Sequence, residues 1–119
     1  MVSVTADQIR KRLGLTVSDI SDEDVLAFRD EVVAFLSEET GITLNAESCT
    51  EAEANAIRNL AAIYCYCKVS GGSAVGLDFS VGDLRVSSDA GKQLEFLKEQ
   101  VERFIAREKR FGISLQEGP

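Results

Sequence analysis

The chain has 119 residues, 13 Lys and Arg against 20 Asp and Glu, a net charge of −7, and neither His nor Trp. A Ser-His-Asp triad, a Cys-His pair and an imidazole-ligated metal are therefore excluded within it, and its acidic balance disfavours nonspecific adhesion to phosphate backbones. With 45% hydrophobic residues, no run approaching roughly eighteen apolar residues and no charged-then-apolar leader, it reads as one soluble, intracellular, non-secreted domain with a real core.

Thr5-Ala6-Asp7-Gln8 fits a capping box, with Thr5 as N-cap and Gln8 three residues on. Ile9 and Leu13 share a helical face, and Gly14 ends the short helix. Arg10, Lys11 and Arg12 form a small basic cluster, read as a solvated face. Residues 16–21 form a turn leading to a second N-cap at Ser21. There Asp22, Glu23 and Asp24 complement the helix dipole.

Val25, Phe28, Val32, Phe35 and Leu36 then recur at helical spacing, with Leu26 and Val33 widening the stripe. The pattern predicts a helix to Thr40, with Gly41 as its left-handed C′ residue. Residues 42–49 form a connector with a short extended stretch. Thr50-Glu51-Ala52-Glu53 is another capping box. The helix it opens is apolar around most of its circumference (Ala54, Ala56, Ile57, Leu60, Ala61, Ile63, Tyr64, Cys67), so it is expected to be central and to end at Gly71-Gly72.

After a loop at 73–76 the apolar period changes from 3.6 to 2. Leu77, Phe79 and Val81 alternate with polar residues, as do Leu84 and Val86. Gly82-Asp83 between the two runs is a two-residue hairpin signal. Ser88 or Asp89 caps a last helix with the stripe Leu94, Leu97, Val101, Phe104 and Ile105, an i,i+4 pair Glu99–Arg103, and an end near Arg110 or Phe111. The expected fold is mainly α: a compact bundle of about four helices with one small β-hairpin between the last two. Residues 1–111 form the single domain and 112–119 a short C-terminal tail.

The charge is lopsided. Residues 19–53 hold eleven carboxylates and one basic residue, Arg29, a net of −10, whereas residues 92–110 hold six basic and four acidic side chains, a net of +2. Solvated helix faces account for this layout taken alone. It also suits head-to-tail packing of identical subunits, with an acidic face including Asp30, Glu31, Glu38 and Glu39 meeting a basic one including Arg103, Arg107 and Arg110.

Little here points to catalysis. Cys65 and Cys67 lie about 200° apart around a helix and cannot share one tetrahedral metal. With Cys49 they read as free, buried, small hydrophobes, and three thiols do not make a disulfide framework. The run from Gly71 to Gly76 lacks the Lys and Ser/Thr of a phosphate loop. No metal, cofactor or catalytic residue is expected, and the chain is not read as an enzyme.

Taken in order, the elements resemble a specific family. An acidic helix ends in Glu39-Thr40-Gly41-Ile42. A second reads Ala56-Ile57-Arg58-Asn59-Leu60-Ala61-Ala62-Ile63-Tyr64-Cys65-Tyr66. A Gly-rich loop, the segment Ser80-Val81-Gly82-Asp83-Leu84-Arg85-Val86-Ser87 and a long closing helix follow. This pattern, over about residues 5 to 111, is similar to the head–tail connector (adaptor) proteins of tailed bacterial and archaeal viruses. The resemblance implies a virion protein of the neck, made in the host cytoplasm and assembled as a dodecameric ring beneath the portal. Its partners would be further copies of itself, the portal protein and the next head-completion or tail protein, with DNA passing through the channel without specific binding. By position, Phe111, Gly112, Ile113, Ser114 and Leu115 would dock on the portal. Phe79, Val81, Gly82, Asp83 and Leu84 would form a hairpin contact between subunits. The competing expectation is a small acidic regulatory or DNA-mimic protein that binds a host protein through its carboxylate-rich helix. A thiol or metal protein built on the three cysteines ranks last.

Overall fold

The computed structural model describes the backbone of residues 1–70 and 88–116 and the side chains of 1–70 and 92–109. Among the described residues four helices follow one another: α1 (Ala6–Lys11), α2 (Asp22–Thr40), α3 (Glu51–Val69) and α4 (Ser88–Gln116). The mainly helical fold and the number of helices agree with the sequence pattern. The expected β-hairpin, with Phe79, Val81, Gly82, Asp83 and Leu84, lies outside the described residues.

The helix starts follow from local chemistry. The Thr5 hydroxyl accepts from the Gln8 N–H while Gln8 Oε1 accepts from the Thr5 N–H, and Thr50 and Glu53 repeat this box at the head of α3. Ser21 accepts from the Asp24 N–H at the head of α2. Each satisfies donors that the first helical turn leaves without carbonyl partners. The stops are equally local. Gly41 takes φ +75° and returns its N–H to the Ser37 carbonyl, a left-handed end that a side chain would strain. Gly14 (φ +69°) lets Leu15 reach back to the Arg10 carbonyl at 3.0 Å, closing α1.

α3 is the central element and packs against all three other helices. Eleven of its residues are buried, among them Ile57, Leu60, Ala61, Ala62, Ile63, Cys65 and Cys67. Val25, Val32 and Leu36 of α2, Leu94, Leu97, Val101 and Phe104 of α4, Ile9 of α1, and Val4, Ile20, Leu44, Ala46 and Cys49 of the connecting segments join it in the core. Each large aliphatic side chain removed from water there contributes about 1.5–3 kcal/mol. Phe28 of α2 meets Tyr64 of α3 edge to face, with ring centroids 5.9 Å apart.

Three features go beyond the sequence reading or differ from it. α4 is helical to Gln116, beyond the expected end near residue 111. One glycine at position 112 costs a helix only about 1 kcal/mol, which twenty-eight other helical residues can offset. The N-terminus is also used structurally. Val2 pairs with Cys49 in an antiparallel bridge (2.8 and 2.9 Å), and Val4 N–H donates to the Ala46 carbonyl, stapling the first residues to the α2–α3 connector. Finally, Arg10 is no part of a solvated face: it is 2% exposed.

Candidate functional site

The basic cluster on α1 is a tertiary clamp. Arg10 Nε donates to the Ile20 carbonyl (3.1 Å), Nη1 to Asp7 (3.1 Å) and Nη2 to Asp22. Its guanidinium thereby ties α1 to the turn before α2. Arg12 crosses to α3, donating from Nη1 to Asn59 Oδ1 and from Nη2 to Asn55 Oδ1, both at 3.0 Å. The reading of residues 10–12 as a solvated face is corrected for both arginines. Apolar periodicity has no signal for a charged residue that buries its stem and finds acceptors far away in sequence.

Arg58 of α3 continues the network. It donates to Gln8 Oε1 (3.0 Å) and Asn55 Oδ1 (3.1 Å) and lies 3.8 Å from Glu51. Asn55 Oδ1 thus accepts from two guanidiniums. Arg12 forms no ion pair among the described residues, and its affinity for a proton is lowered, first by burial and then by the charge of Arg58. It stays cationic regardless, because arginine does not deprotonate in proteins.

Beside this network an open cleft of about 310 Å³ runs between α3 and α4. Asn55 and Asn59 line it from α3, and Gln100, Arg103, Phe104 and Arg107 from α4, with no carboxylate among the lining side chains. The two asparagine oxygens are already taken by arginines, so each amide has its NH₂ to offer. Arg107 sits 6.0 Å from the centroid of the Phe104 ring and also donates to Glu108, which holds its cation near the cleft. Arg103 is exposed and has no partner among the described residues. The expected Glu99–Arg103 pair is not made; Lys98 and Glu102 pair instead, at 3.9 Å. Surface pairs of this kind are worth so little that rotamer choice decides between them.

α2 carries the opposite charge. Glu23, Ala27, Asp30, Glu31, Ala34 and Glu38 are all exposed, and their spacing places them on one side of the helix. Asp30 accepts from its neighbour Arg29. The four residues expected to form an acidic intersubunit face divide. Asp30, Glu31 and Glu38 face solvent, but Glu39 is only partly exposed and lies 3.8 Å from Lys109 of α4 in the same chain. Part of the expected acid–base complementarity is therefore intramolecular. The side chains of Arg110 and of Phe111, Gly112, Ile113, Ser114 and Leu115 lie outside the described residues, although the backbone of all six is helical.

Cys49, Cys65 and Cys67 are free and buried. Burial pushes the Cys65 thiol up to about 12 and the Cys67 thiol up to about 11. Cys49 is also raised, mainly by burial, and its sulfur lies 3.4 Å from the Val2 carbonyl oxygen. None has the depressed thiol acidity that nucleophilic chemistry needs. No three potential ligands converge as a metal site among the described residues. No helix among those residues is long and apolar enough to cross a membrane. Compared with protein-family models, curated proteins and solved structures, the chain matches none of them.

The sequence reading named Arg103 and Arg107 as a basic face but gave no site role to Asn55, Asn59, Gln100 or Arg12. A signal for the first two was present. Asparagine is a poor helix former, and two at i,i+4 in a largely apolar helix mark a polar seam at which side-chain partners from other elements are expected.

Proposed function

We propose that this chain is a structural virion protein, a head–tail connector that forms an oligomeric ring below the portal. The ring, a dodecamer, extends the DNA channel and docks the next neck component. One observation carries the reading. A single subunit bears two separate surfaces of opposite character, the exposed carboxylate stripe of α2 and the carboxylate-free, arginine-lined cleft between α3 and α4. Complementary, non-overlapping surfaces on one chain suit heterologous contacts, which close into rings when the rotation allows. The order of elements (a short capped helix, an acidic helix, a buried helix and a long closing helix) agrees with the connector resemblance. On this reading the protein turns over no substrate and holds no cofactor. The end of α4, including Phe111, Ile113 and Leu115, meets the portal. Purified particles of the virus encoding the chain test it directly by quantitative mass spectrometry. Copy numbers near those of the portal protein support the ring, and absence from intact particles ends the proposal.

The α2 stripe favours a second reading, a small acidic regulator or DNA mimic, because Glu23, Asp30, Glu31 and Glu38 imitate a line of phosphates. Charge reversal at Asp30, Glu31 and Glu38 then abolishes competition with duplex DNA for a DNA-binding protein of the host. Unchanged competition removes this reading.

A further inference from the structure

We infer that the cleft between α3 and α4 is the receptor for the acidic face of α2 of a second copy of this chain. The inference rests on the ring-forming reading for its setting and names the contact that reading requires.

The cleft is built for acceptors. Each of its polar lining side chains offers an N–H: the guanidiniums of Arg103 and Arg107 and the amides of Asn55, Asn59 and Gln100. Both asparagine oxygens are occupied, and their occupants, Arg12 and Arg58, bring two more positive charges behind the amides. Asn59 is 4% exposed, so its orientation is fixed by packing and by the 3.0 Å bond from Arg12. Guanidiniums bind carboxylates as paired, charge-assisted hydrogen bonds, the strongest polar contacts available to such a surface.

Charge complementarity selects the occupant. Residues 19–53 carry a net charge of −10, and the exposed face of α2 displays Glu23, Asp30, Glu31 and Glu38 with only alanines, Ala27 and Ala34, between them. Those small residues leave room for the helix to approach, and Ala52 and Ala56 do the same on the cleft side. The cleft takes no lining residue from its own α2, so both surfaces are available at once and each subunit can give and receive. Nucleic acid is the weaker occupant. A chain of net charge −7 repels a polyanion at long range, whereas a neighbour's helix presents its carboxylates at fixed spacing.

A charge-swap experiment on the full chain tests this. The first variant carries Arg103→Glu and Arg107→Glu, the second Glu31→Arg and Glu38→Arg; all four positions are exposed, so the fold is retained, which circular dichroism checks. Sedimentation equilibrium at low salt, up to millimolar protein, follows association. The wild type is expected to self-associate, each variant alone about tenfold or more weakly, and an equimolar mixture of the two to recover association, because electrostatic complementarity is restored. A wild type that stays monomeric, variants that associate like the wild type, or a mixture that does not recover would overturn the inference. So would a single-stranded oligonucleotide that binds the wild type and not the first variant, since the cleft would then be a phosphate site. Absence of the chain from virus particles would remove the connector reading and leave the pairing intact. Presence in particles together with a failed charge swap would remove the cleft assignment alone.

Discussion

Arg12 and Asn59 stand 47 residues apart in sequence and are joined by a 3.0 Å hydrogen bond from Nη1 to Oδ1. The bond ties the end of α1 to the middle of α3 and fixes one wall of the α3–α4 cleft. Replacing Asn59 by Leu removes an acceptor from a partly buried guanidinium and is expected to cost about 1–3 kcal/mol. Asn59→Asp keeps the shape and supplies a charged acceptor, so it should cost much less than the Leu variant at neutral pH. Urea denaturation of the two variants beside the wild type makes the comparison. Equal losses would mean that Asn59 acts through packing alone.

Arg10 makes a stronger demand on its surroundings. Its side chain is 3% exposed, while those of its partners Asp7 and Asp22 are 79% and 70% exposed. The asymmetry predicts asymmetric mutational effects. Arg10→Met leaves the Ile20 carbonyl without its donor and is expected to lose about 2–3 kcal/mol. Asp7→Asn and Asp22→Asn, at hydrated positions, should each lose less than about 1 kcal/mol. Thermal denaturation ranks the three variants. A loss at Asp7 matching that at Arg10 would contradict the geometry.

The helix ends give a third comparison. Thr50→Ala removes the cap of the central helix and should cost about 1 kcal/mol. Gly41→Ala should cost a similar amount for a different reason. Nothing lies within 4 Å of where the new Cβ would stand, so the penalty is the left-handed φ of +75° alone, roughly 1–2 kcal/mol. The D-alanine variant, made by chemical synthesis, should therefore restore stability at position 41. If it does not, the left-handed φ is not the whole of the penalty, because the D residue relieves that strain while its Cβ stands on the other side of Cα.

These cases show which parts of the molecule can be read in advance. Thr5, Ser21, Thr50 and Gly41 act within four residues of themselves, so their roles are written in short segments. The burial of α3 follows from apolar residues around most of its circumference. Arg10 and Arg12 behave otherwise because their acceptors, Ile20, Asp22, Asn55 and Asn59, belong to other elements. Charge along a helix says nothing of where its partners will be. The cleft was half legible for the same reason. Arg103 and Arg107 stand out as basic residues on the solvent side of the α4 stripe, whereas Asn55 and Asn59 become donors only once arginines from α1 and α3 have taken their oxygens. The Glu39–Lys109 contact is a further tertiary fact, and it moves Glu39 out of the free acidic face that composition alone assigns to it.

The three thiols make the pH dependence testable. Cys65 is pushed up from an ordinary value of 9.0 to about 12, and Cys67 to about 11, in both cases first by burial. A raised pKa in the folded state means that, between the two values, the unfolded chain has lost a proton that the folded chain keeps. Stability from this source is therefore complete below about pH 9 and falls as pH rises toward 11–12. Two results follow. At neutral pH a disulfide reagent such as dithiobis(nitrobenzoate) should leave the folded protein unmodified and titrate three thiols in denaturant. Replacing Cys65 and Cys67 by Ala should flatten the decline in stability above pH 9 while costing stability at pH 7 through the lost sulfur contacts and the cavities left behind. Rapid labelling of Cys65 and Cys67 in the native protein at pH 7 would show that α3 opens locally there, and of Cys49 alone that its connector does. An undiminished alkaline decline in the double variant would assign that decline to Cys49 and Tyr64, whose thiol and phenol are also raised first by burial.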